Sequence, residues 1–600
     1  MPTRLNVEQN EATSSTLGVH SSIAGKRWLL REVNERMALM LSQRLSLPEI
    51  VGRILANRGV DVESAQQFLH PTLRDSLPDP NCLLDMEKAV ERLSEAINKS
   101  ESIAVFGDYD VDGATSSALI YKFFSKIGIK IRIYIPDRIT EGYGPNWPAL
   151  NKLKEDKIDL VITVDCGITA FDALEKASKE NLDVIVLDHH AAEPQLPKAL
   201  AIVNPNRLDD KSELGILAAV GVSFLMLVAL NRHLRETSWY NDNSLIEPNL
   251  LELLDLVALG TVCDVVKLSG LNRAFVKQGL TIISQRKNTG LRELADISKI
   301  DQRPSAYHAG FVLGPRINAG GRVGESWLGA RLLSTEDKNE AKDIALRLDN
   351  YNAERQKIEQ TVLEEALSLA EKEIDNPIII VSSDRWHAGV IGIVASRIKD
   401  KYSRPCILIG FDGVTGKGSG RSIDGIDLGS VVIAARQKGL IESGGGHKMA
   451  AGLTLQKKNL ASLKKFLFEK IGLLMAQENP KPTLYVDSII TLNGANDELV
   501  TAIQMVAPFG SGNPEPRFVF ESVRIIRADV VGASHIRCIL SDSSKKNFKA
   551  IAFRAVGEPI GDALLNTHGF PVHIAGKIRE NTWQGRNEMQ IIIEDVAKIA

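Results

Sequence analysis

Cysteine is scarce in this chain, which has five among its 600 residues. No two of them form a CxxC pair, so the sequence indicates neither a structural zinc site nor a disulfide framework. A reducing cytoplasm is therefore the expected compartment. Long apolar runs are also missing. Residues 215–231 are the one membrane-like stretch, and because they are barely long enough to span a bilayer we expect a buried core helix there.

A strong net charge is absent as well, since the formal value is -3 at pH 7. This balance neither predicts nor excludes a nucleic-acid binder, because a local basic groove is enough for binding. Six hundred residues exceed a single core, so we expect several domains. Residues 1–27 lack the apolar stretch of a secretory signal and contain Glu8 and Glu11, which favours a disordered tail.

The middle of the chain has the pattern of an α/β protein. From residue 102 to 204, short β-branched runs alternate with helical stretches, which is typical of a mostly parallel sheet covered on both faces. We group residues 28–332 as one N-terminal region that contains this sheet. Residues 335–375 hold no glycine or proline and are rich in Glu, Lys, Ala and Leu, so residues 333–376 are predicted to form one long connecting helix or a broken pair.

The C-terminal part divides at the proline-containing segment "ENPKPT". Before it, residues 377–476 return to an α/β pattern with glycine-rich loops. After it, residues 481–600 contain short alternating strands separated by turns. Their number and size predict a small β-barrel, and an OB-fold that binds nucleic acid fits them. The predicted fold class is therefore α/β multidomain, with a parallel-sheet domain, a long helix, a second α/β domain and a barrel.

Acidic residues and histidines follow several strands of the predicted parallel sheet, at the point where each strand ends. The strand-end residues are Asp108, Asp110 and Asp112 after "IAVFG", Asp165 in "VITVD", and Asp188, His189 and His190 in "VIVLDHH". Ligands of open parallel sheets bind outside the carboxyl ends of the strands, so we expect these side chains to converge at one edge. Asp264 follows an apolar helix and is expected to join them.

So many carboxylates at one edge predict bound cations, because ionised groups at low dielectric need partners and no matching lysines are nearby. Oxygen ligands with some imidazole suit Mn²⁺ or Mg²⁺ better than zinc. Enough ligands for two ions predict a two-metal hydrolase of phosphate esters, with His190 as a proton donor. A single aspartate after a strand is usually a helix cap or turn residue, whereas three clusters together favour the metal site.

Eight segments resemble a known family. "GDYDVDG", "VITVDCG", "VLDHH" and "GTVCDVV" resemble the four motifs of the DHH phosphoesterase superfamily. "GPRINAGGR", "WHAGVIGIVASR", "GSGRSIDG" and "GGGHKMAAG" resemble its RecJ branch of single-strand-specific DNA exonucleases. The resemblance runs from about residue 28 to residue 600. It implies a DHH domain, a connecting helix, a DHHA1 domain and an OB-fold, in that order.

The resemblance also implies roles for the motif residues. The implied ligands of two Mn²⁺ or Mg²⁺ ions are Asp108, Asp110, Asp112, Asp165, His189 and Asp264. Asp165 would bridge the ions, His190 would lie close to the scissile phosphate, and Asp188 is counted with these two as catalytic. The implied activity removes 5′-mononucleotides from the 5′ end of single-stranded DNA, with a preference for a 5′-phosphate, in DNA repair and recombination. The implied partners are single-stranded DNA, a single-strand-binding protein and a helicase, with no membrane.

Phosphate contacts are predicted in the arginine-containing and glycine-rich segments, since arginine pairs with phosphate bidentately and backbone amides can cradle it. The predicted residues are Arg316, Asn318, Arg322, His387, Ser419, Arg421, Ser422, Gly445, Gly446 and His447. A glycine run is equally common in tight turns, and surface arginines often only cap other elements. These alternatives stay open at the level of sequence.

Two other functions fit parts of the pattern. One is another DHH enzyme, such as a pyrophosphatase or a phosphodiesterase for short oligonucleotides or cyclic dinucleotides, although such proteins usually lack the terminal barrel. The other is a binding or scaffold protein that kept the fold, which would be expected to lose metal ligands. For single-strand selectivity, we hypothesise a narrow hole between the two α/β domains, framed by the long helix, that a duplex cannot enter.

Overall fold

The computed structural model describes most of the chain, namely residues 15–138, 140–543, 546–567, 569–583 and 586–599. The first part of the predicted disordered tail, residues 1–14, lies outside these residues. The described chain divides into two compact units. One contains Pro71–Pro480 and Gly510–Gly512. The other contains the described residues up to His70, together with Lys481–Phe509 and the described residues from Asn513 onward.

The described chain begins with a short 3-10 helix, a strand and three helices. These are Thr16–Gly18, β1 (Arg27–Leu30), α1 (Glu35–Leu45), α2 (Glu49–Asn57) and α3 (Val62–Leu69). Capping residues fix two of the helix starts. The Asn34 side chain accepts a hydrogen bond from the Met37 amide, and the Asp61 side chain accepts one from the Ser64 amide. Such caps satisfy amides that a first helical turn leaves unpaired.

A parallel sheet forms the centre of the larger unit and confirms the predicted α/β domain. Its strands are β2 (Ile103–Gly107), β3 (Ile131–Tyr134), β4 (Leu160–Val164), β5 (Asp183–Leu187) and β6 (Ala201–Val203). Their spatial order is β3-β2-β4-β5-β6, and each neighbouring pair is parallel. The chain leaves β2 toward one edge and returns on its other side at β4. The β2–β4 boundary is therefore the topological switch point, where such sheets bind ligands.

Helices cover both faces of this sheet. The short helix α4 (Leu73–Ser76) and a 3-10 turn at Pro80–Cys82 come first in the chain, and the covering helices are α5 (Met86–Asn98), α6 (Val111–Lys126), α7 (Trp147–Glu155) and α8 (Phe171–Lys179). Alternate residues of a strand point to opposite faces. Val105 accordingly packs into the core that contains α5 and α6, whereas Phe106 packs into the core that contains α7 and α8.

A helical layer completes this part of the unit. Its elements are α9 (Ala219–Glu236), α10 (Trp239–Asp242), a 3-10 turn at Leu250–Leu253, α11 (Leu254–Cys263), α12 (Gly270–Ser284), α13 (Thr289–Ile297), a π-helix at His308–Leu313, α14 (Gly314–Val323) and α15 (Leu328–Ser334). The membrane-like stretch falls mostly in α9, whose apolar residues are buried in the core. Within the described residues, no helix has the combination of length and apolarity that a membrane crossing requires.

One long helix follows, α16 (Lys338–Ala370), and confirms the connecting helix. Its 33 residues reach about 50 Å at 1.5 Å per residue. Asp337 caps its start by accepting hydrogen bonds from the amides of Asn339 and Glu340. The helix packs near its start against the helical layer and near its end against the following sheet, where Val362, Ala366 and Ala370 are buried. It therefore joins two α/β domains within one unit.

The second α/β domain contains a mixed sheet. Its elements are β7 (Ile379–Ser383), α17 (Ile391–Tyr402), β8 (Cys406–Asp412), β9 (Thr415–Arg421), α18 (Leu428–Gln437), β10 (Ser443–His447), β11 (Ala450–Gln456), a 3-10 turn at Lys457–Asn459 and α19 (Leu460–Glu478). The spatial order is β10-β11-β9-β8-β7, with only β7 and β8 parallel among these pairs. One face packs on α18 and α19, and the other packs on α16 and α17.

The other unit is built around the predicted barrel. Its C-terminal elements are β12 (Thr483–Val486), β13 (Ser488–Ile490), α20 (Asp497–Met505), β14 (Phe518–Val531), β15 (His535–Ser541), β16 (Asn547–Ala552), α21 (Pro559–Leu565), β17 (Val572–Trp583) and β18 (Arg586–Lys598). The sheet runs β13-β14-β15-β16-β18-β17, and β14 also pairs with β17. This extra pairing closes the sheet, so its strands have few free edges.

The N-terminal residues belong with this barrel and not with the parallel sheet. Strand β1 pairs in parallel with β12, starting with Arg27 opposite Thr483. Apolar residues of α1 and α2, such as Leu41 and Val51, share one core with Phe518 of β14. These contacts differ from the predicted grouping of residues 28–332 as one region. They also differ from the prediction of a tail that extends to residue 27. An amphipathic pattern shows that a helix has a buried face but not which distant element covers it.

A buried carboxylate fastens the N-terminal segment to the barrel. Asp595 is fully buried, and its Oδ2 atom accepts hydrogen bonds from Trp28 Nε1 at 2.9 Å and Ser22 Oγ at 2.6 Å. The Asp595→Ala variant should lose about 2–4 kcal/mol of stability in this unit, because two buried donors lose their acceptor. Hydrogen exchange of the amides in β1 and β12 measures this loss.

The Asp529→Ala variant is the matched control, because it removes a carboxylate of the same unit that pairs with Arg527 and Arg537 at the surface. Exposed pairs of this kind contribute at most about 1 kcal/mol. Equal exchange rates in the two variants would contradict the role assigned to Asp595.

Candidate active site

The predicted carboxylates meet at the carboxyl ends of three adjacent strands. Asp108 follows β2, Asp165 follows β4 and Asp188 follows β5, so all three extend from the same edge of the sheet. Asp264 comes directly after α11. The structure thus brings together the acidic residues that the sequence predicted to converge, at the switch point between β2 and β4.

The segment after β2 turns sharply into α6. The Asp110 Oδ1 atom caps this helix by accepting hydrogen bonds from the amides of Asp112 at 2.9 Å and Gly113 at 3.2 Å. Gly113 is required by close packing, since a Cβ atom there would lie 2.4 Å from the Asp108 carbonyl oxygen. Asp108 is 4 % exposed and Asp112 is 1 % exposed, so two of these carboxylates are held out of water.

The carboxylate of Asp112 is also fixed by the start of α9. Its two oxygens accept hydrogen bonds from the amides of Ala219 at 2.7 Å and Val220 at 2.9 Å. Gly260 of α11 packs beside it, because a Cβ atom there would be 3.1 Å from Asp112 Oδ1. Backbone amides of one helix and a glycine of another therefore set the position of this carboxylate.

One ligand candidate, and the residue that directly follows another, have strained backbone conformations. Asp165 has φ of 60° and Val265, directly after Asp264, has φ of 62°. Positive φ is uncommon for any residue with a side chain and is an outlier for a β-branched one. The Tyr143 hydroxyl supports the first of these turns by donating a 3.0 Å hydrogen bond to the Asp165 carbonyl oxygen. Strain of this kind persists where the surroundings over-determine the conformation, which is common at functional sites.

The two histidines after β5 have different partners. Asp188 Oδ1 accepts hydrogen bonds from the amides of His189 and His190 and lies 2.7 Å from His190 Nδ1. Asp188 Oδ2 accepts a hydrogen bond from the Ile168 amide at 3.0 Å. The oxygens of Asp188 are therefore used by protein donors, and this residue orients the His190 imidazole and fixes the backbone of both histidines.

His189 points instead at the other carboxylates. Its Nε2 atom lies 3.3 Å from Asp165 Oδ1, 3.6 Å from Asp264 Oδ2 and 3.9 Å from Asp112 Oδ2. One imidazole and three carboxylates therefore share one small, mostly buried space.

Two asparagines after β6 hold the backbone of the histidine pair. Asn204 Nδ2 donates to the His190 carbonyl oxygen at 2.9 Å, and Asn206 Nδ2 donates to that of His189 at 2.5 Å. Reasoning from sequence missed both asparagines, although the segment "VNPN" follows a strand of the same sheet and so could have pointed to them.

Several of these atoms are buried without a hydrogen-bond partner in the part of the chain that the structure describes. They are Asp108 Oδ1, Asp165 Oδ1, His189 Nε2 and Asp264 Oδ2. Three overlapping groups could each hold an ion, because within each group the ligand atoms lie within 4.8 Å of one another. The groups are Asp108, Asp110 and Asp165; Asp165, His189 and His190; and Asp112, His189 and Asp264. Leaving a buried polar atom without a partner has a high free-energy cost. Four such atoms in one cluster therefore fit a site that binds divalent cations.

The electrostatics lead to the same conclusion. Burial and neighbouring carboxylates raise the pKa of Asp112 to about 7 and that of Asp264 to about 9, and raise the pKa values of Asp108 and Asp165 well above their ordinary range. Like charges this close favour protonation when no cation is bound. A bound cation would reverse this preference and keep the carboxylates ionised.

The imidazoles are shifted in opposite directions. Burial, followed by the neighbouring His190, lowers the pKa of His189 to about 4, so this ring is neutral at pH 7 and has the form that binds metals. Burial also acts to lower the pKa of His190, but the hydrogen bond and charge of Asp188 outweigh it and raise the value to about 9. One ring is thus suited to binding a cation and the other to carrying a proton.

A cavity of about 270 Å³ opens over this cluster. Its lining residues are Asp108, Tyr109, Asp110, Arg138, Tyr143, Asp165, His190, Asp264, Asn318 and Arg322. Three of these were missed by the reasoning from sequence: Tyr109, Arg138 and Tyr143. The Arg138 guanidinium lies 5.1 Å from the centre of the Tyr109 ring. The available signal for Arg138 and Tyr143 was their position after β3, at the same edge of the sheet as the carboxylates.

The three residues predicted from "GPRINAGGR" separate in the structure. Asn318 and Arg322 line the cavity. Arg316 instead donates hydrogen bonds to Asp349 Oδ1 and to the Val312 carbonyl oxygen, both at 2.8 Å, and so ties α14 to α16. Neighbouring positions on one helix thus face different elements, a distinction that a motif in sequence does not show.

Arg322 also connects the two α/β domains. Its Nη1 atom donates a 2.9 Å hydrogen bond to the Gly389 carbonyl oxygen, while the Gly389 amide donates to His387 Nδ1 at 3.1 Å. Burial, followed by the charges of Arg138 and Arg355, lowers the pKa of Arg322 to about 10. The cavity is therefore acidic on the strand side and has clustered guanidinium groups on the α14 side, a charge pattern that suits a phosphate beside metal ions.

The remaining predicted phosphate contacts lie on the mixed sheet. Ser419 and Arg421 belong to β9, and a Cβ atom at Gly392 of α17 would lie 2.8 Å from Ser419 Oγ and 3.2 Å from Arg421 Nη2. Ser422 differs, since its buried hydroxyl donates to the Ile426 carbonyl oxygen at 2.7 Å.

Three further residues of the predicted set lie on β10, namely Gly445, Gly446 and His447. The register places Gly445 opposite Gly452 of β11, which in turn lies opposite Ser419 of β9. A Cβ atom at Gly445 or Gly452 would meet nothing within 4 Å. These glycines leave open space on the sheet beside Ser419.

Comparison with known families divides the chain in the same order as the fold. The DHH family N-terminal domain matches residues 102–261, the DHHA1 domain matches residues 375–472 and the RecJ OB domain matches residues 486–595. Each match falls on one architectural part: the parallel sheet with its flanking helices, the mixed sheet, and the barrel.

Curated relatives extend the similarity over nearly the whole chain. The single-stranded-DNA-specific exonuclease RecJ of Bacillus subtilis is 34% identical over 578 residues, covering 95% of this chain and 71% of the relative. The protein of that name from Escherichia coli is 35% identical over 584 residues, covering 94% of this chain and 98% of the relative.

Solved structures agree with the curated relatives. RecJ from Thermus thermophilus in complex with Mn²⁺ matches with a TM-score of 0.78 and 29% identity over 95% of this chain and 79% of that one. Its complex with Mg²⁺ matches with a TM-score of 0.72 and 28% identity over 95% and 78%. The order of the domains, the acidic edge of the parallel sheet and the identity across almost the whole chain lead to one conclusion: this chain belongs to the RecJ family of single-stranded-DNA-specific exonucleases.

Proposed function

We propose that this chain hydrolyses single-stranded DNA from its 5′ end and releases 5′-mononucleotides, using two divalent metal ions. The observation that supports the proposal most directly is the set of buried, unpartnered ligand atoms on Asp108, Asp165, His189 and Asp264. The relatives named as single-stranded-DNA-specific exonucleases, and the Mn²⁺ and Mg²⁺ complexes of the Thermus protein, support the substrate class and the metals. A role in DNA repair and recombination follows from the family resemblance.

The metal ligands in this proposal are Asp108, Asp110, Asp112, Asp165, His189 and Asp264. Asp165 is the bridging residue, because it belongs to the group with Asp108 and Asp110 and also to the group with His189. Asp110 and Asp112 accept hydrogen bonds from backbone amides, which hold their carboxylates in place. Two Mn²⁺ or Mg²⁺ ions, when bound, would activate a water molecule and stabilise the charge on the leaving oxygen.

His190 is the proton donor in this proposal, and Asp188 is its positioning residue. Asp188 lies 2.7 Å from His190 Nδ1, so Nε2 is the ring nitrogen that would reach a substrate. A proton or hydrogen bond from His190 to the leaving oxygen would lower the barrier to its departure. The Tyr143 hydroxyl lies 3.4 Å from the same nitrogen, His190 Nδ1, and so helps to keep Nε2 as the free end of the ring.

The phosphate-binding residues in this proposal lie on both α/β domains. Asn318 and Arg322 would contact the scissile phosphate, because they line the cavity. The 5′-phosphate would contact the mixed sheet, through His387, Ser419, Arg421, Gly445, Gly446 and His447. Arg316 and Ser422 would support these contacts indirectly, since their side chains are bound to Asp349 and to the Ile426 carbonyl oxygen.

Selectivity for single strands has a steric explanation in this proposal. The hydrogen bond from Arg322 to Gly389 and the long helix α16 hold the two α/β domains close together beside the cavity. A single strand tracked by cationic and aromatic side chains could enter such a space, whereas a duplex is too wide. The barrel would bind the strand further along, in the manner of other OB-folds.

The division of the chain into functional domains remains a proposal as well. We propose a DHH domain ending near residue 332, a connecting helix at 333–376, a DHHA1 domain at 377–476 and an OB-fold at 481–600. Contacts with a single-strand-binding protein and a helicase rest on the family resemblance alone. A cytoplasmic location rests on the cysteine content, and all five cysteines are free in the structure.

The reaction is tested with single strands labelled at the 5′ or the 3′ end, in Mn²⁺ and in Mg²⁺. We expect a 5′-labelled strand to release labelled mononucleotide at once and a 3′-labelled strand to shorten progressively. The kcat/KM of the Asp165→Asn variant should fall by more than about 100-fold. This exceeds the roughly 10- to 100-fold loss that is typical when a residue that only supports metal ligands is mutated. Asparagine tolerates the positive φ at this position, so the backbone should be kept.

Two results would contradict this proposal. Preferential hydrolysis of dinucleotides or pyrophosphate would place the chain with other DHH enzymes, and full metal-dependent activity of the Asp165→Asn variant would exclude Asp165 as a ligand.

Metal binding should also be visible as stability. Without metal, the Asp165→Asn variant should unfold at a higher temperature than the parent chain, because one of several mutually repelling carboxylates has been removed. Mn²⁺ at 100 times its Kd should stabilise the parent chain by about 2.7 kcal/mol and the variant by clearly less. Calorimetric melting curves with and without Mn²⁺ provide both measurements.

The Asp255→Asn variant is the matched control for the melting curves. Asp255 is 3 % exposed, burial raises its pKa to about 6, and it lies on α11 about 13 Å along the helix from Asp264. Its stabilisation by Mn²⁺ should equal that of the parent chain. An equally large stabilisation by Mn²⁺ in all three proteins would show that the ions bind elsewhere.

Arg421 allows a test of 5′-phosphate binding. Its Nη1 atom donates to the Gly420 carbonyl oxygen at 2.8 Å and to Ser419 Oγ at 3.2 Å, and burial lowers the pKa of its guanidinium. The Arg421→Ala variant should have a KM for 5′-phosphorylated strands that is about tenfold higher or more, which corresponds to the free energy of a hydrogen bond to a charged group. Its KM for 5′-hydroxyl strands should change little.

Arg436→Ala is the control for this test, since Arg436 is an exposed arginine in the last turn of α18 in the same domain. An unchanged preference for the 5′-phosphate in the Arg421→Ala variant would remove Arg421 from the binding site.

A further inference from the structure

Two aromatic rings are stacked on each other at the surface of the larger unit. The Tyr307 and Phe311 ring centres are 5.4 Å apart with an angle of 22° between the planes. Tyr307 is 51 % exposed and Phe311 is 73 % exposed. Exposed aromatic surface of this size has a cost in water unless another molecule covers it, and stacked rings offer a flat apolar face.

The pair sits where a π-helix runs directly into α14. Tyr307 immediately precedes the π-helical turn His308–Leu313, which contains Phe311, and α14 begins at the next residue. π-helical turns are rare and occur frequently at functional sites. The unusual backbone and the exposed rings are separate observations at the same position of the chain.

Two faces of this helical segment are already occupied. One face packs on α11: a Cβ atom at Gly310 would lie 3.2 Å from Val262 Cγ1, and one at Gly314 would lie 2.5 Å from Cys263 Sγ. A second face meets α16, where Arg316 is bound to Asp349. This helical segment therefore packs on the residues that precede the ligand candidate Asp264 and is bound to α16.

The aromatic pair and the cavity residues belong to one continuous helical segment. Phe311 lies in the π-helical turn seven residues before Asn318, and Arg322 follows Asn318 by about one turn of α14. Asn318 and Arg322 line the cavity over the metal-ligand cluster. Seven helical residues span on the order of 10 Å along the axis, so the aromatic pair lies about that distance along the segment from Asn318.

We propose that Tyr307 and Phe311 form a stacking platform for bases of the single strand that have not yet reached the cavity. This inference rests on the proposed function. A strand rises about 3.4 Å per stacked nucleotide, so a platform about 10 Å from Asn318 meets bases about three nucleotides from the scissile bond. Stacking is tolerant of sequence because every base has a π face, which suits an enzyme that degrades strands of any sequence.

The test compares the Phe311→Ala and Phe311→Tyr variants on substrates of increasing length. For Phe311→Ala we expect KM to rise about tenfold for strands of about ten or more nucleotides, the lower part of the range for base stacking on aromatic side chains. Activity on dinucleotides should be unchanged, since they do not reach the platform. Phe311→Tyr should behave like the parent chain, because it keeps an aromatic face.

A second arm identifies the contact as stacking. The parent chain and the Phe311→Ala variant are compared on a long strand with abasic sites at the third to fifth nucleotides. The difference in KM between the two proteins should disappear on this strand, because the bases that would stack are missing. A difference that persists on the abasic strand, or an equal loss on dinucleotides, would overturn the platform and indicate a structural role.

The Ile246→Ala variant is the matched control, since Ile246 is 90 % exposed in the same unit and lies outside the helical segment. Its KM should not depend on strand length. The two proposals fail separately: absence of single-strand hydrolysis by the parent chain would reject the proposed function. An active parent chain with an unchanged Phe311→Ala variant would reject only the platform.

Discussion

The repulsion among carboxylates at the end of the parallel sheet is the constraint on which the rest of this molecule depends. Asp108, Asp112 and Asp165 are buried and Asp264 is half-buried, and burial raises the pKa values of all four, which favours their neutral forms. Such an arrangement is stable with all groups ionised only when cations share the space. The fold around the cluster can be understood as the set of contacts that keeps it open to cations and to one substrate.

Those contacts come mainly from the backbone. Amides at the start of α9 hold Asp112, amides at the start of α6 hold Asp110, and three amides together with one imidazole hold Asp188. Backbone donors on packed helices move little, so the carboxylates are positioned before any ion arrives. A preorganised site of this kind avoids reorganisation during the reaction, which is the main electrostatic advantage of an enzyme over water.

The sequence predicted the architecture well because its signals were local. Short β-branched runs identified the parallel sheet, the absence of glycine and proline identified α16, and the strand-end rule placed Asp108, Asp165 and Asp188 at one edge. The signals that failed or were missing depend on contacts between distant residues. Tyr143 and Asn204 follow strands of the same sheet, but the sequence does not show which groups they contact. Arg316 and Arg322 look equivalent in one motif, and the pairing of Arg27 with Thr483 joins segments that no periodicity relates. Motif spacing thus identifies the chemistry, while packing decides which member of a motif reaches the cavity.

The pairing of β1 with β12 has a consequence for synthesis of the protein in the cell. The unit that contains the barrel is interrupted by Pro71–Pro480, so α1, α2 and α3 leave the ribosome long before the strands that cover their apolar faces. At about 5–20 residues per second, translation of the intervening segment takes roughly 20 to 80 s. During that interval the larger unit can fold while the first helices remain without their partner. The segment of α1, α2 and α3 is therefore buried only after the much later strands have been made, and until then its exposed apolar side chains are natural clients for chaperones that act on nascent chains.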